Sequence, residues 1–420
     1  MLSALQNAFK IEELRNKLLF VLAMIVVYRI GAHIPVPGID TGVLQQLFEG
    51  EGVLGFLDMF AGGALSRFTI FAMSISPYIT ASIIMQLLTV VIPHLEELSK
   101  QGREGKKIIN RYTRYATVVL GLVQGTGITM MIRNYGAVEN PNLFNLATIV
   151  ITLTAGTVFL MWLGEQITDK GIGNGISIII FSSIIARFPG AVAQTVESLR
   201  LGQINIFNLL IFVAIALAVI AAIIYIQEGQ RKIPVRYSKR VVGNKVYGGQ
   251  STHIPMKVNQ AGVIPVIFAS SVLLFPATIA RFIDHPFSQR IAAALSPGEP
   301  VYIAFYALMI IFFTYFYTAI QFNPIEVADN MKERGGFVPG RRPGRPTAEY
   351  LDKILTRITL AGSIFLAAVA IMPEFVMGLT GIQVRFGGTA LLITIGVALR
   401  TMKQIETYLL QRHYDSFMNS

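Results

Sequence analysis

Ten apolar runs, separated by shorter polar segments, are the feature that most constrains the fold of this chain. A helix needs about 20 apolar residues to cross the hydrocarbon layer of a membrane, and somewhat fewer where neighbouring protein shields its ends. With 53% hydrophobic and 14% charged residues, the chain has more apolar surface than one water-soluble core can bury. The sequence therefore predicts an all-α integral membrane protein with ten transmembrane helices. The runs lie near residues 18–34, 68–92, 115–132, 146–164, 174–188, 206–227, 260–282, 301–322, 354–373 and 387–404.

Basic residues are distributed unevenly over the segments between these runs. With a cytoplasmic N-terminus, the segments predicted to face the cytoplasm and the span ends beside them hold all but eight of the 35 Lys and Arg residues. Cytoplasmic loops of membrane proteins carry such an excess, so both termini are predicted to be cytoplasmic, and the net charge of +11 reflects topology first. No signal peptide is expected, because residues 1–17 read as a cytoplasmic amphipathic segment. The eight exceptions are Arg29, Arg67, Arg133, Arg187, Arg200, Arg281, Arg290 and Arg385.

The ten spans divide into two sets of five. Because five is odd, a second half descended from the first would be inverted in the membrane, as in many channels and transporters. The fifth run of each half is short and rich in glycine at its start, at Gly171 and at Phe386–Gly388. Such runs in corresponding positions indicate a pathway between the halves. We therefore predict an N-terminal half over residues 18–190, a C-terminal half over 191–404 and a cytoplasmic tail over 405–420.

Two predicted cytoplasmic connections, residues 228–259 and 323–353, are longer than a turn requires. The first carries seven Lys and Arg residues and the second six. The first has two runs rich in Val and Tyr around Gly243–Asn244, which predicts a projecting hairpin. The second is rich in Gly and Pro, which predicts a loop. Basic loops can serve only to fix topology, but the length of these two favours docking of a partner.

The chemistry of enzymes and ion-coupled transporters is missing from the sequence. The middles of the ten spans hold no ionisable residue, although proton- or cation-coupled transport usually needs one. No pair among the five histidines has metal-ligand spacing, and "GIGNG" lacks the preceding strand and full spacing of a nucleotide-binding turn. We therefore predict no enzyme activity, no metal and no cofactor. Without cysteine the chain has no disulfides. Any transport must be driven from outside it.

The stretch "FLDMFAGGALSRFTI", residues 56–70, is too short and interrupted to cross a bilayer. It lies on the predicted outer side, between the first two spans. Its small residues permit close approach and easy departure, so it could fold back as a removable stopper. An ordinary interfacial helix explains the same pattern.

Five long motifs are distinctive: "DMFAGGALSRFTIFAMSISPYITASIIMQLL" (58–88), "GIGNGISIIIF" (171–181), "YGGQSTHIPMKVNQAGVIPVIFASS" (247–271), "FVPGRRPGRPT" (337–347) and "RFGGTALLI" (385–393). All five resemble the SecY family, the channel subunits of the bacterial Sec protein translocase. The resemblance implies a passive hourglass channel of two five-helix halves, which opens across the membrane for secreted proteins and sideways for membrane segments. The segment near residues 56–68 would be a re-entrant plug, with Phe56, Leu57, Phe60, Gly62, Gly63, Leu65 and Arg67.

The same resemblance assigns roles to three further sets of residues. The constriction would be a ring of Ile75, Ile79, Ile176, Ile180, Ile267 and Ile393. The lateral gate would have Thr80 and Gln86 on one rim and Ser271 and Phe275 on the other. SecA or the ribosome would dock on Arg231, Lys232, Arg236, Lys239, Arg240, Lys245, Arg341, Arg342 and Arg345.

The family also implies partners and a location. SecE, SecG, the SecA ATPase, the ribosome, signal peptides and nascent chains are expected partners, with anionic lipids, YidC and SecDF, in a bacterial plasma membrane. Two positions depart from the pattern. Gly243–Asn244–Lys245, at the hairpin tip, has one basic residue where relatives often have two. The family's SecA-contacting arginine matches Arg342, but the adjacent Arg341 could occupy the same place. A solute transporter, and a scaffold or insertase without a pore, remain alternatives.

Overall fold

The computed structural model of the chain describes residues 9, 11–44, 58, 61–237, 240–242, 245–247, 251–282, 293–295, 298–380 and 387–418. Helices dominate these residues. In the first part of the chain they are α1 (Glu12–Gly31), α2 (Ser76–Val91), α3 (Pro93–Lys100), α4 (Gly102–Asn134), α5 (Leu143–Lys170), α6 (Gly175–Arg200) and α7 (Ile206–Glu228). The later helices are α8 (Ile264–Phe282), α9 (Pro300–Gln321), α10 (Pro324–Glu333), α11 (Arg345–Thr380) and α12 (Gly388–Met418). The strands are β1 (Gln230–Tyr237), β2 (Arg240–Val242), β3 (Lys245–Tyr247), β4 (Ser251–Lys257) and β5 (Gly336–Phe337).

Each of the ten apolar runs coincides with one long helix, namely α1, α2, α4 to α9, α11 and α12. Among the described residues, six helices are long and apolar enough to span a membrane, and a seventh span forms if the pair α2 and α3, bent by 100°, is counted as one. The remaining runs lie in α1, which is charged at both ends, in α8, whose apolar stretch is short, and in α12.

The chain divides into two compact units, one comprising Met1–Ile204, Leu274–Pro297 and Val397–Ser420, the other Asn205–Leu273 and Gly298–Gly396. The boundary expected between residues 190 and 191 lies inside α6. The first segment of the first unit instead ends at Ile204, after that helix. The proposed division into two halves stays a prediction.

Close helix contacts in the first unit depend on glycine. A Cβ atom on Gly175, at the start of α6, would lie 1.9 Å from the carbonyl oxygen of Gly164 on α5. Only glycine permits this approach, as is common where membrane helices pack. The preceding residue, Asn174, caps α6 by accepting a hydrogen bond from the Ser177 amide at 3.0 Å. The "GIGNG" motif, residues 171–175, is therefore the turn and cap that lead into the closely packed start of α6.

The second unit contains a small antiparallel sheet, in the order β4-β1-β5. The β1–β4 pair confirms a hairpin in the first long connection, whereas β5 comes from the second long connection and was not predicted as a strand. Side chains alternate along β1, so that Ile233 and Val235 are buried while Lys232, Pro234 and Arg236 are exposed. The buried face packs against Met331, Val338, Leu351 and Leu355. One apolar core therefore joins the two long connections.

Candidate functional site

Asp58 organises the described part of the predicted plug. Its carboxylate is almost completely buried, with 1% of the residue exposed. Oδ1 accepts hydrogen bonds from the backbone amides of Leu65 and Ser66, at 3.0 and 2.9 Å, and Oδ2 lies 3.0 Å from Nη2 of Arg187 on α6. One oxygen therefore fixes the fold of the segment, while the other attaches the segment to α6.

A second set of contacts lies one turn away along α6. Tyr28 and Ser183 are fully buried, and their hydroxyl oxygens are 2.6 Å apart. The Tyr28 hydroxyl also donates to the Ala61 carbonyl at 3.4 Å. Gly62, with φ of +64°, lies so close that a Cβ atom there would meet Cα of Ser183 at 3.0 Å. The segment thus packs closely against α6. Gly62 permits this contact because glycine readily adopts a positive φ and has no Cβ atom to collide with Ser183.

The segment continues into α2 through a constrained connection. Phe68 and Ser74 adopt left-handed backbone conformations, with φ of 44° and 50°, which are costly for residues other than glycine. The connection is pinned to the chain after α1, because the Val36 amide donates to the Phe68 carbonyl and the Ile70 amide to the Ile34 carbonyl. Described residues of the predicted plug are Asp58 and residues 61–68. Phe56, Leu57 and Phe60 lie outside the described residues.

Four of the six predicted constriction residues belong to the first unit. Ile75 immediately precedes α2 and is buried, and Ile79 is half-buried one turn into that helix. Ile176 and Ile180 lie on α6, at spacings of seven residues before Ser183 and Arg187, respectively. Residues seven apart share a helix face. The predicted constriction and the plug contacts therefore share one face of α6.

The other two predicted constriction residues, Ile267 on α8 and Ile393 on α12, belong to the second unit. Ile393 is buried and Ile267 half-buried. The ring of six stays a prediction.

The two predicted gate residues on α2 have partners within that helix. On α2, Thr80 donates to the Ser76 carbonyl at 3.1 Å, and the Gln86 side-chain amide donates to the Ser82 hydroxyl at 3.5 Å. Ser271 is half-buried on α8; Phe275 follows on the same helix, but its side chain lies outside the described residues. The lateral gate also stays a prediction.

Basic residues of the two long connections are brought together by the β1–β5 pairing. Arg231, Lys232 and Arg236 are exposed on β1, and Arg236 is paired with Phe337, just before the loop that carries Arg341 and Arg342. Arg240 and Lys245 lie in β2 and β3, but their side chains, like the whole of Lys239, lie outside the described residues. The exposed basic residues described in the two connections are together called the basic platform here: Arg231, Lys232, Arg236, Arg341, Arg342 and Arg345.

Neighbouring arginines of this platform differ in their surroundings. The Arg341 guanidinium stacks over the Tyr350 ring, 5.0 Å from its centroid, and Arg345 pairs with Glu349 at 3.3 Å. Arg342 is exposed, and among the described residues its guanidinium has no side-chain partner. Its backbone is fixed, however, because the Thr347 hydroxyl donates to the Arg342 carbonyl at 2.7 Å. Arg342 is therefore the arginine that is held in place and yet available to a partner.

Sequence reasoning missed Tyr28, Ser183, Arg187 and Tyr350. A signal existed only for Arg187, which is one of the eight arginines outside the predicted cytoplasmic segments. An arginine near the end of a membrane helix, on the side where basic residues are rare, is a reasonable candidate for a specific ion pair.

The family model described as SecY matches residues 69–402. The chain belongs to the SecY family. It is 49% identical over 441 residues to protein translocase subunit SecY of Streptomyces galbus, with 100% of both chains covered. It is 48% identical over 414 residues to the same subunit of Escherichia coli strain K12, with 96% of this chain and 94% of the relative covered.

Solved structures show the same fold. One, of a SecY protein whose plug domain is described as stabilising the closed state of the translocation channel and maintaining a membrane seal, superposes with a TM-score of 0.65 at 20% identity, over 94% of this chain and 92% of that one. Sec61 in the canine ribosome–channel complex of the endoplasmic reticulum superposes with a TM-score of 0.62 at 19% identity, over the same shares. The predicted fold class is confirmed: the chain is a predominantly helical, multi-pass membrane protein with the fold of SecY and Sec61.

Proposed function

We propose that the chain is a protein-conducting channel, which passes unfolded secretory polypeptides across the bacterial plasma membrane and releases transmembrane segments sideways into it. Membership of the SecY family supports this function. The observation that carries it is the shared face of α6, on which Ile176 and Ile180 precede the plug contacts Ser183 and Arg187. A constriction and a removable seal placed next to each other are what a gated channel needs.

The chemistry of the constriction fits a polypeptide substrate. A narrow collar of isoleucines dewets and blocks ions when the channel is empty, and it offers no polar group to a passing chain. The plug segment, held on the same face of α6, closes the remaining path. An arriving chain would displace the segment, and the lateral gate lined by Thr80, Gln86, Ser271 and Phe275 would open to signal peptides and nascent membrane segments.

The energy for transport comes from partners, since the channel itself is not an enzyme. The basic platform is the proposed docking surface for the SecA ATPase and for the ribosome. Arg342 is its central residue, because its backbone is anchored and its guanidinium is free among the described residues. A guanidinium in this state can bind a carboxylate or a phosphate with two hydrogen bonds.

Anionic lipids are proposed partners of α3 and α4. Glu96 and Glu104 pair with Lys100 and Lys107, at 2.6 and 2.8 Å, and the Glu96 hydrogen bond raises the pKa of Lys100. Among the described residues of this stretch, the exposed Lys and Arg side chains without an ion-pair partner are Arg103, Lys106 and Arg111. Such residues at a cytoplasmic helix end attract lipid phosphates.

The remaining partners follow from the family. SecE and SecG are proposed as small helical subunits of the complex, and YidC and SecDF as associated factors. Both termini are proposed to be cytoplasmic, as the distribution of basic residues indicates. A crosslink between a translocating chain and Ile79, inside the proposed collar, tests the proposed function.

A further inference from the structure

We propose that Arg187 is a positioning residue for the plug, and that its ion pair with Asp58 is an electrostatic latch that keeps the channel closed. This inference rests on the proposed channel function and concerns the same gate. The two side chains come from elements far apart in the sequence, and Arg187 Nη2 lies 3.0 Å from Asp58 Oδ2. The latch therefore joins the removable segment to a helix that carries two of the constriction residues.

The two carboxylate oxygens of Asp58 have different partners and different structural roles. Oδ1 accepts from the amides of Leu65 and Ser66 and holds the segment in its own turn-rich fold. Oδ2 contacts α6 through Arg187. An Asn side chain can keep the first role through its carbonyl oxygen, but it has no charge for the second. Asp58→Asn is thus expected to loosen the segment from α6 without unfolding it.

Burial makes the latch depend on both partners. The Asp58 carboxylate is almost inaccessible to water, so removal of Arg187 would leave a buried negative charge without an ion-pair partner among the described residues. The Arg187 side chain remains 30% exposed, which limits its own desolvation cost. When the segment moves away from α6, both groups become hydrated. The open state therefore gains stability as soon as either partner is removed.

Apolar packing alone fixes the segment less specifically. Ala61, Gly62 and Ala64 offer little side-chain surface, and Gly62 rests on the backbone of Ser183. Contacts of small residues are easily broken and re-formed, as a seal that must reopen requires. The ion pair between Asp58 and Arg187 fixes the position of the segment along α6, which contacts of small residues do not fix by themselves.

Resting ion conductance of the channel with SecE, in planar bilayers, tests the latch. Arg187→Gln and Asp58→Asn are each expected to raise the open probability on the order of tenfold, less than the loss of one half of a fully buried charge pair would cause, because the Arg187 side chain is 30% exposed. The double variant should leak no more than the worse single variant, and Arg187→Lys should restore much of the seal. Arg200→Gln, on the same helix, is the matched control and should conduct as the unaltered channel does.

A channel lacking residues 57–65 distinguishes failure of the latch proposal from failure of the proposed channel function. If this deletion leaks while Arg187→Gln and Asp58→Asn stay closed, the latch is overturned and the channel function stands. If the two single effects add in the double variant, the residues act separately and the latch is likewise overturned. If neither the deletion nor any variant ever conducts, the proposed channel function fails with it.

Discussion

Ile180 and Arg187 lie two turns apart on the same face of α6, so that one helix carries a predicted constriction residue and the anchor of the predicted plug. A displacement of α6 would therefore act on both at once. Coupling of this kind needs no long pathway through the protein, because both groups belong to one rigid element. It would link widening of the predicted constriction to release of the predicted plug.

Deletion of residues 57–65 is expected to leave a folded channel that leaks ions intermittently. The deletion removes Asp58, Gly62 and Leu65, and with them the contacts that hold the segment on α6. The isoleucine collar remains and keeps the leak intermittent. Single-channel recording of the complex with SecE provides the measurement, and co-purification with SecE is the control for folding. Resting conductance equal to that of the unaltered channel would contradict the plug assignment.

A disulfide between Gly62→Cys and Ser183→Cys is expected to lock the plug in place. A Cβ atom at Gly62 would lie 3.2 Å from Cβ of Ser183, slightly less than the usual separation in disulfides, so a small shift suffices. Cysteine at a φ of +64° costs on the order of 1 kcal/mol. The chain has no native cysteine to compete.

The locked channel should lose protein translocation and regain it when a reductant is added. Each single cysteine variant serves as a control and should translocate with and without the reductant. Full translocation by the oxidised double variant, with the disulfide shown by mass spectrometry, would mean that the segment need not leave α6.

Arg342→Glu is expected to abolish SecA-driven translocation while leaving assembly with SecE intact. The substitution reverses a charge on the exposed side of a loop whose backbone is fixed through Thr347, so the effect falls on docking rather than on folding. Normal SecA-dependent transport in this variant would rule out the docking role of the loop.

Neighbouring alanine variants distinguish the two adjacent arginines. Arg342→Ala should slow SecA-driven transport on the order of tenfold, as for a central interface arginine. Arg341→Ala should cause a smaller loss, because Arg341 stacks on Tyr350 and contributes to the shape of the loop. The reverse order, measured as initial translocation rates into vesicles, would assign the SecA contact to Arg341.

The helices could be predicted from the sequence because their signal is local. Each apolar run is long enough to be recognised without knowledge of its neighbours, and all ten coincide with helices. The hairpin around Gly243–Asn244 was recognisable for the same reason, from runs rich in Val and Tyr on either side of a turn, and β2 and β3 pair there.

Contacts between distant segments could not be predicted. The pairing of Arg236 with Phe337 joins two connections, and the pair of Asp58 with Arg187 joins two elements that no local pattern relates. Nothing in the sequence around Tyr350 shows that it faces Arg341 rather than Arg342. Such pairings are decided by the packing of whole helices, which a residue pattern does not specify.

The most direct test of the central claim is a crosslink between the channel and its substrate. With the channel, SecE and SecA in vesicles, a lone cysteine replaces Ile79, and a second cysteine lies in the mature part of a stalled secretory protein. Ile84→Cys, on the exposed side of the same helix α2, is the matched control. We predict a disulfide at residue 79 that depends on SecA and ATP, with none at residue 84. No disulfide at residue 79, while cysteines on the basic platform still react with the same substrate, would show that the chain docks proteins without conducting them through the isoleucine collar.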